Sequence, residues 1–142
     1  MIGTRRRILL AEDNAVSQRI VKAMLHRLGH EVDIRATGVG AVEACLSFDY
    51  LAVLMDGFMP EMDGFEAARE IRRLERRGRR TPIIALTACA RPQDRQRCCD
   101  CGMDDFLAKP VTLEVLSKAL ERWTTTSDDG RKSRTGLSGR SA

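Results

Sequence analysis

The chain reads as an α/β protein, a doubly wound parallel sheet of five strands alternating with five helices. Three observations predict this. Short apolar runs recur along the 142 residues, separated by segments whose apolar positions repeat at helical spacing. The run YLAVLM at 50–55 is nearly continuous in its apolar character, as a central parallel strand buried on both faces should be. Strict strand–helix alternation implies parallel strands joined by right-handed crossovers, with helices on both faces. The length suits one domain with a core that needs no disulfide or metal staple.

RILLA at 7–11 is the first strand. A helix follows, with Asn14 as N-cap, Gly29 as its end, and Val16, Ile20, Met24 and Leu28 as its apolar stripe. EVDIRA at 31–36 alternates as a strand does, with Val32 and Ile34 on one face. Thr37 opens a helix to about Ser47, with Val39, Val42 and Leu46 turned inward. After the central strand comes an arginine-rich helix from Gly64 to Arg77, with Phe65, Ala68, Ile71 and Leu74 as its stripe. Asp63 is its expected N-cap, with Glu66 in the capping-box position. PIIALTA at 82–88 is the fourth strand. Pro92 suits the first turn of a helix to about Cys101, closed by Gly102. DFLA at 105–108 is the fifth strand, and Thr112 to about Trp123 is the last helix, burying Leu113, Leu116 and Leu120.

The segment 125–142 is polar, basic and rich in Gly, Ser and Thr, and is read as a disordered tail that could serve in docking. No apolar stretch is long enough to span a bilayer, and the N-terminus lacks the pattern of a signal peptide, so a cytoplasmic location is expected. The net charge of +4 comes largely from arginine clusters. A solvated helix face explains them more simply than nucleic acid, because no DNA-binding motif accompanies them. Five cysteines, three of them in the cluster Cys98, Cys99 and Cys101, read as reduced thiols near a helix end. A soft-metal site is the alternative, weakened by the lack of a nearby histidine.

Parallel α/β sheets bind ligands beyond the carboxyl ends of their strands. At those ends stand Glu12 and Asp13 after the first strand, Asp56 after the third, Thr87 after the fourth, and Lys109 with Pro110 after the fifth. Each has an ordinary reading taken singly: a helix-terminal acid, a turn, a strand-end hydroxyl, a surface charge. Together they place three carboxylates, a hydroxyl and an ammonium on one edge. Three carboxylates repel unless a hard cation joins them, and Mg²⁺ suits oxygen ligands of this number. A metal, an ammonium and a hydroxyl around a carboxylate suit phosphoryl transfer, with the carboxylate as nucleophile.

The motifs ILLAEDN, LMDGFMPEMDGFE, PIIALTA and FLAKP, in that order, resemble the receiver domain of two-component response regulators over residues 5–124. The resemblance implies the flavodoxin-like (βα)5 sheet with strand order 2-1-3-4-5. It implies Asp56 as phosphoacceptor and Glu12 and Asp13 as the acidic pair for Mg²⁺, Asp13 being favoured as the direct ligand. Asp56 and the backbone carbonyl of Phe58 would complete the metal's protein ligands. Thr87 would approach the phosphoryl group, Lys109 would pair with it, and Phe106 would be the switch aromatic. Gly57, Ala88 and Pro110 would shape the surrounding loops, with Pro110 after a cis peptide bond. The implied donor is a histidine kinase or a histidine phosphotransfer protein, docking near Val16, Ser17, Ile20 and Pro110. The output is an unidentified protein target reached through the face of the fourth helix, fifth strand and fifth helix.

The chain departs from the family pattern at three places. Phe106 replaces the usual tyrosine. Phe58 occupies a position that is often polar and lies next to the path of hydrolytic water. Cys89 lines the same mouth without a charge or amide. The FMPEMDG segment resembles receivers of hybrid histidine kinases, and the sequence fits either a stand-alone receiver or an excised domain. Two alternatives remain at this point: a haloacid-dehalogenase-like phosphatase and a receiver-shaped module that only binds partners. The phosphatase needs a second Asp two positions after the nucleophile, where this chain has Phe58.

Overall fold

Five parallel strands pair edge to edge in a computed structural model that describes residues 7–75, 78, 80–88 and 91–128, with side chains described to residue 124. They are β1 (Arg7–Ala11), β2 (Val32–Arg35), β3 (Tyr50–Asp56), β4 (Ile83–Thr87) and β5 (Asp105–Ala108). The sheet order is β2-β1-β3-β4-β5, as the sequence predicts. The connecting helices are α1 (Ala15–Arg27), α2 (Gly38–Ser47), α3 (Gly64–Leu74), α4 (Pro92–Asp100) and α5 (Leu113–Asp128).

Alternate residues of the strands feed two cores. Leu9, Val53, Met55, Ile83 and Ala85 face the side covered by α2, α3 and α4. Ile8, Leu10, Leu54, Ile84 and Leu86 face α1 and α5. The central strand β3 is buried at six of its seven residues, which explains its unbroken apolar sequence.

The expected caps hold. The Asn14 side chain accepts from Ser17 N, Thr37 from Gly40 N, and Asp63 from Glu66 N. Gly29 and Gly102 adopt φ of 90° and 93° just past α1 and α4, a conformation that only glycine adopts without strain.

Several expected inward residues are not inward. In α1 the buried residues are Val21 and Leu25, while Val16 and Ile20 are 56% and 51% exposed. A stripe spaced strictly by four drifts about 40° per step around a helix of 3.6 residues per turn. Val16 and Leu28 are therefore about 120° apart, and the end near the strand tips turns outward. In α2, Val39 and Leu46 are exposed, and Ala41, Val42 and Ala44 face the core. The close approach of this helix selects small residues: a Cβ on Gly38 would overlap the Met62 carbonyl oxygen. Leu74 lies at the exposed margin of α3, which ends there instead of at Arg77. Leu113 is half-buried, while Leu116 and Leu120 are buried.

α5 continues past Trp123 to Asp128, into the stretch read as tail, and 129–142 lie outside the described residues. Cys89 also lies outside them. Cys98 and Cys101 are buried and Cys99 is exposed. Among the described residues, the group gathered closely enough to hold a metal is Glu12, Asp13 and Asp56, not the cysteines.

The arginines of α3 are mostly committed. Arg72 reaches inward to the carbonyls of Gly102 and Thr81 and to Glu75 and Asp104, while Arg73 pairs with Glu70. Among the described residues, no helix is long and apolar enough to cross a membrane.

Candidate functional site

The carboxyl ends of β1, β3, β4 and β5 bring the expected residues to one edge. Glu12 and Asp56 are 1% and 5% exposed, Thr87 is also buried, and Asp13 is open to solvent. Oxygen atoms of Glu12, Asp13 and Asp56 all lie within 4.8 Å of one another. Two of these three carboxylates are buried, so water cannot offset their repulsion.

Lys109 answers that charge. Its Nζ lies 3.1 Å from Glu12 Oε1 and 3.4 Å from Asp56 Oδ1. Burial works against the Lys109 charge, but the Glu12 hydrogen bond and the charges of Asp56 and Glu12 outweigh it. Together they hold the ammonium pKa above its usual 10.5. Burial raises the Glu12 pKa above the usual 4.5, and the Asp56 charge adds to the rise. The amide of Asn14, donating to Glu12 Oε2 at 3.1 Å, and Lys109 both oppose it. One ammonium thus balances part of a cluster that still carries excess negative charge.

The backbone holds these groups in place. Lys109 N donates to Thr87 O at 2.7 Å, tying the exit of β5 to the end of β4, and the Lys109–Pro110 peptide is cis. Gly57 N donates to Leu86 O at 3.2 Å, and Phe58 N donates to Asp56 Oδ1 at 3.3 Å. Ala88 is an exposed bend just past β4. The Phe58 ring is 62% exposed and meets the ring of Phe65 edge-on at 6.1 Å. Phe106 is half-buried against the α2–α4 core, with the Arg95 guanidinium 4.9 Å from its ring centre. A cleft of about 360 Å³ opens beside the site, lined by Glu12, Ser17, Ile20, Lys109, Pro110 and Val111 among others. Ile20, expected to favour packing, lines this cleft instead.

Two supports were not legible in the sequence. The Gln18 side-chain amide donates to the Glu12 carbonyl at 2.6 Å, one turn into α1. Gly64, from the second Asp-Gly pair, packs against the backbone of Asp56 itself: a Cβ there would overlap the Asp56 carbonyl oxygen. The glycine was visible, but the contact spans two elements and left no local pattern. Gly57 shows a related constraint, since a Cβ on it would press within 3.1 Å of the Phe65 ring.

Comparison with known proteins follows the same lines. The response regulator receiver domain family matches residues 8–121. The hybrid signal transduction protein dokA of Dictyostelium discoideum is 40% identical over 123 residues, covering 87% of this chain and 7% of dokA. The chain therefore spans a small part of that relative's length. The receiver domain of sensor histidine kinase PA1611 from Pseudomonas aeruginosa PAO1 was solved with magnesium in its active-site cleft. It is 47% identical, with a TM-score of 0.78 over 84% of this chain and 98% of its own. A complex of the Saccharomyces cerevisiae phosphotransfer protein Ypd1 with the receiver domain of Ssk1 gives a TM-score of 0.81. That match has 27% identity and covers 87% of this chain and 91% of the other. On sequence and on fold alike, this chain belongs to the response regulator receiver domain family.

Proposed function

We propose that the chain is the phosphoacceptor of a phosphorelay, taking a phosphoryl group onto Asp56 and changing conformation in response. The observation that carries this reading is Lys109 Nζ bridging Glu12 and Asp56 beside three converged carboxylates. That arrangement holds an ammonium at the nucleophile and leaves excess negative charge for a cation.

The donor set fits Mg²⁺: three carboxylates, one of them open to solvent, with no competing soft ligand in the group. Glu12, Asp13 and Asp56, with the Phe58 carbonyl, would hold it. When bound, the ion neutralises charge on the transferring phosphoryl group. Asp56 Oδ attacks phosphorus in line while the bond from phosphorus to the donor's imidazole nitrogen breaks. That nitrogen departs with the bonding pair, and because the other ring nitrogen carries a proton taken from solvent, the donor leaves as neutral histidine. The Phe58 amide orients the attacking carboxylate. Lys109 turns from the carboxylates to a phosphoryl oxygen, and the Thr87 hydroxyl donates to another. Movement of Thr87 frees space for Phe106, which passes the change to α4, β5 and α5.

The donor is a histidine kinase or a histidine phosphotransfer protein, as the yeast complex suggests by analogy. Ile20 lines the cleft, and Val16, four residues earlier on α1, is also exposed; together they offer the donor an apolar landing. The target is another protein. The domain acts in the cytoplasm, with residues 5–124 as the working unit. A phosphatase turnover is not favoured, because Phe58 has no proton to give where that chemistry needs an acid.

Incubation with Mg²⁺ and acetyl phosphate, read by intact mass, tests the assignment. Wild type is expected to gain one phosphoryl group and Asp56→Asn none. No gain on wild type, or an equal gain on the variant, overturns it. The lifetime of that label is a second prediction. The exposed Phe58 ring offers water no hydrogen bond beside the acyl phosphate. Phe58→Asn should therefore shorten the lifetime about fivefold, roughly what one hydrogen bond to the attacking water contributes. An unchanged decay rate removes Phe58 from this role.

A further inference from the structure

Among the described residues, α4 has the barest apolar anchor of the five helices. It buries one side chain, Cys98, with Cys101 behind it at the C-cap. Two guanidinium groups lie over neighbouring rings instead. Arg97 stands 3.9 Å from the centre of the Phe65 ring and 3.8 Å from the Asp63 carboxylate that caps α3. Arg95 stands 4.9 Å from the centre of the Phe106 ring in β5.

The two rings differ in freedom. Phe65 is buried in the core, so its contact with Arg97 is fixed. Phe106 is half-buried and sits two residues before the end of β5, beside the β4 strand that ends in Thr87. Its backbone is held, since Phe106 N donates to Asp105 Oδ1 at 2.8 Å. The ring can therefore move only by rotating about its own side-chain bonds. A tyrosine could hold either position through its hydroxyl. Phenylalanine has none, and the electrostatic force acting on its face is the cation above it.

We propose that Arg95 is a positioning residue acting through Phe106: its charge holds the ring in the resting position and so sets how readily the domain switches. The inference rests on the receiver reading above. A ring that turns inward leaves the guanidinium, and Arg95, on the exposed side of α4, returns to water. A contact of this kind at a partly exposed site biases the equilibrium toward rest about two- to fivefold.

Trp123, the one tryptophan in the chain, reports on this corner. Its Nε1 donates to Asp105 Oδ2 at 2.9 Å, and the same carboxylate holds the Phe106 amide. The test compares wild type with Arg95→Met, which keeps the stem and loses the charge, and Arg95→Lys, which keeps a charge. Arg95→Met is also made in a Phe106→Leu background. Readouts are the initial rate of labelling by acetyl phosphate with Mg²⁺, and Trp123 emission without a phosphodonor.

Arg95→Met should label about two- to fivefold faster. Its resting emission should move toward the value wild type reaches with Mg²⁺ and beryllium fluoride. Arg95→Lys should remain near wild type, and Arg95→Met should add nothing once Phe106 is leucine. Wild-type rate and emission in Arg95→Met, or equal acceleration in both backgrounds, overturns the proposal. A wild type that takes no label overturns the receiver reading and this inference with it. A wild type that labels beside an unresponsive Arg95→Met overturns this inference alone.

Discussion

Lys109→Ala is expected to label from acetyl phosphate about a hundredfold more slowly than wild type while binding Mg²⁺ more tightly. The opposite signs follow from one geometry. Lys109 lies 3.1 Å and 3.4 Å from the two buried carboxylates, so it screens the charge that attracts a cation. Without it, Glu12, Asp13 and Asp56 share no ammonium, and a divalent ion gains the whole of their field. The transferring phosphoryl group, in contrast, loses a donor placed where its charge develops. Removing one such donor costs about 10² to 10³ in rate. Glu12 also loses the partner that opposes its raised pKa, so it protonates at a still higher pH in the cation-free variant. Mg²⁺ affinity should therefore fall more steeply in the variant than in wild type as pH drops toward that range. Calorimetric titration with Mg²⁺ and timed mass spectra measure the two effects. Weaker Mg²⁺ binding in Lys109→Ala at neutral pH, or an unaltered labelling rate, contradicts this account.

Gly64→Ala is expected to lower the melting temperature by about 10 °C, although alanine is the better helix former. A Cβ at 64 would overlap the Asp56 carbonyl and approach Met55 Cγ at 2.9 Å. The obstacle is backbone, which cannot rotate away, so the substitution costs about 3 kcal/mol, the upper end of ordinary overpacking. Relief requires α3 to lift from β3, which would also stretch the bond from Gly64 N to Gly57 O, now 3.0 Å. Asp56 sits at the yielding point, so labelling should slow as well. Gly40→Ala is the control. It lies in α2 with its nearest obstacle, the Thr37 hydroxyl, at 3.2 Å, and should melt close to wild type. Equal melting of Gly64→Ala and wild type would show that the close approach carries no cost.

Local patterns carried the parts of the fold that depend on neighbours in sequence. The continuous apolar run of β3, the caps at Asn14, Thr37 and Asp63, and the glycines after α1 and α4 all depend on residues within a turn of each other. The helical faces were less legible. Val16, Ile20, Val39 and Leu46 have the right chemistry for a core, yet all four are exposed; in α1 the drift of a four-residue spacing around the helix turns Val16 and Ile20 away from Val21 and Leu25. In α2 the buried face is made of Gly38, Ala41, Val42 and Ala44, and at Gly38 the Met62 carbonyl leaves no room for a side chain.

The amino-acid sequence by itself determined which residues would stand at the strand ends, because alternation sets the strands parallel and every strand then delivers its exit residue to the same edge. LMDGFMPEMDGFE contains two Asp-Gly pairs, and position relative to the strand already separated Asp56 from the cap Asp63. Tertiary structure alone decided that Gly64 of the second pair presses on Asp56 of the first, that Lys109 bridges two carboxylates instead of one, and that two arginines of α4 rest on aromatic rings. These are contacts between elements remote in sequence, set by the distance at which helices pack on a twisted sheet, and no local periodicity encodes that distance.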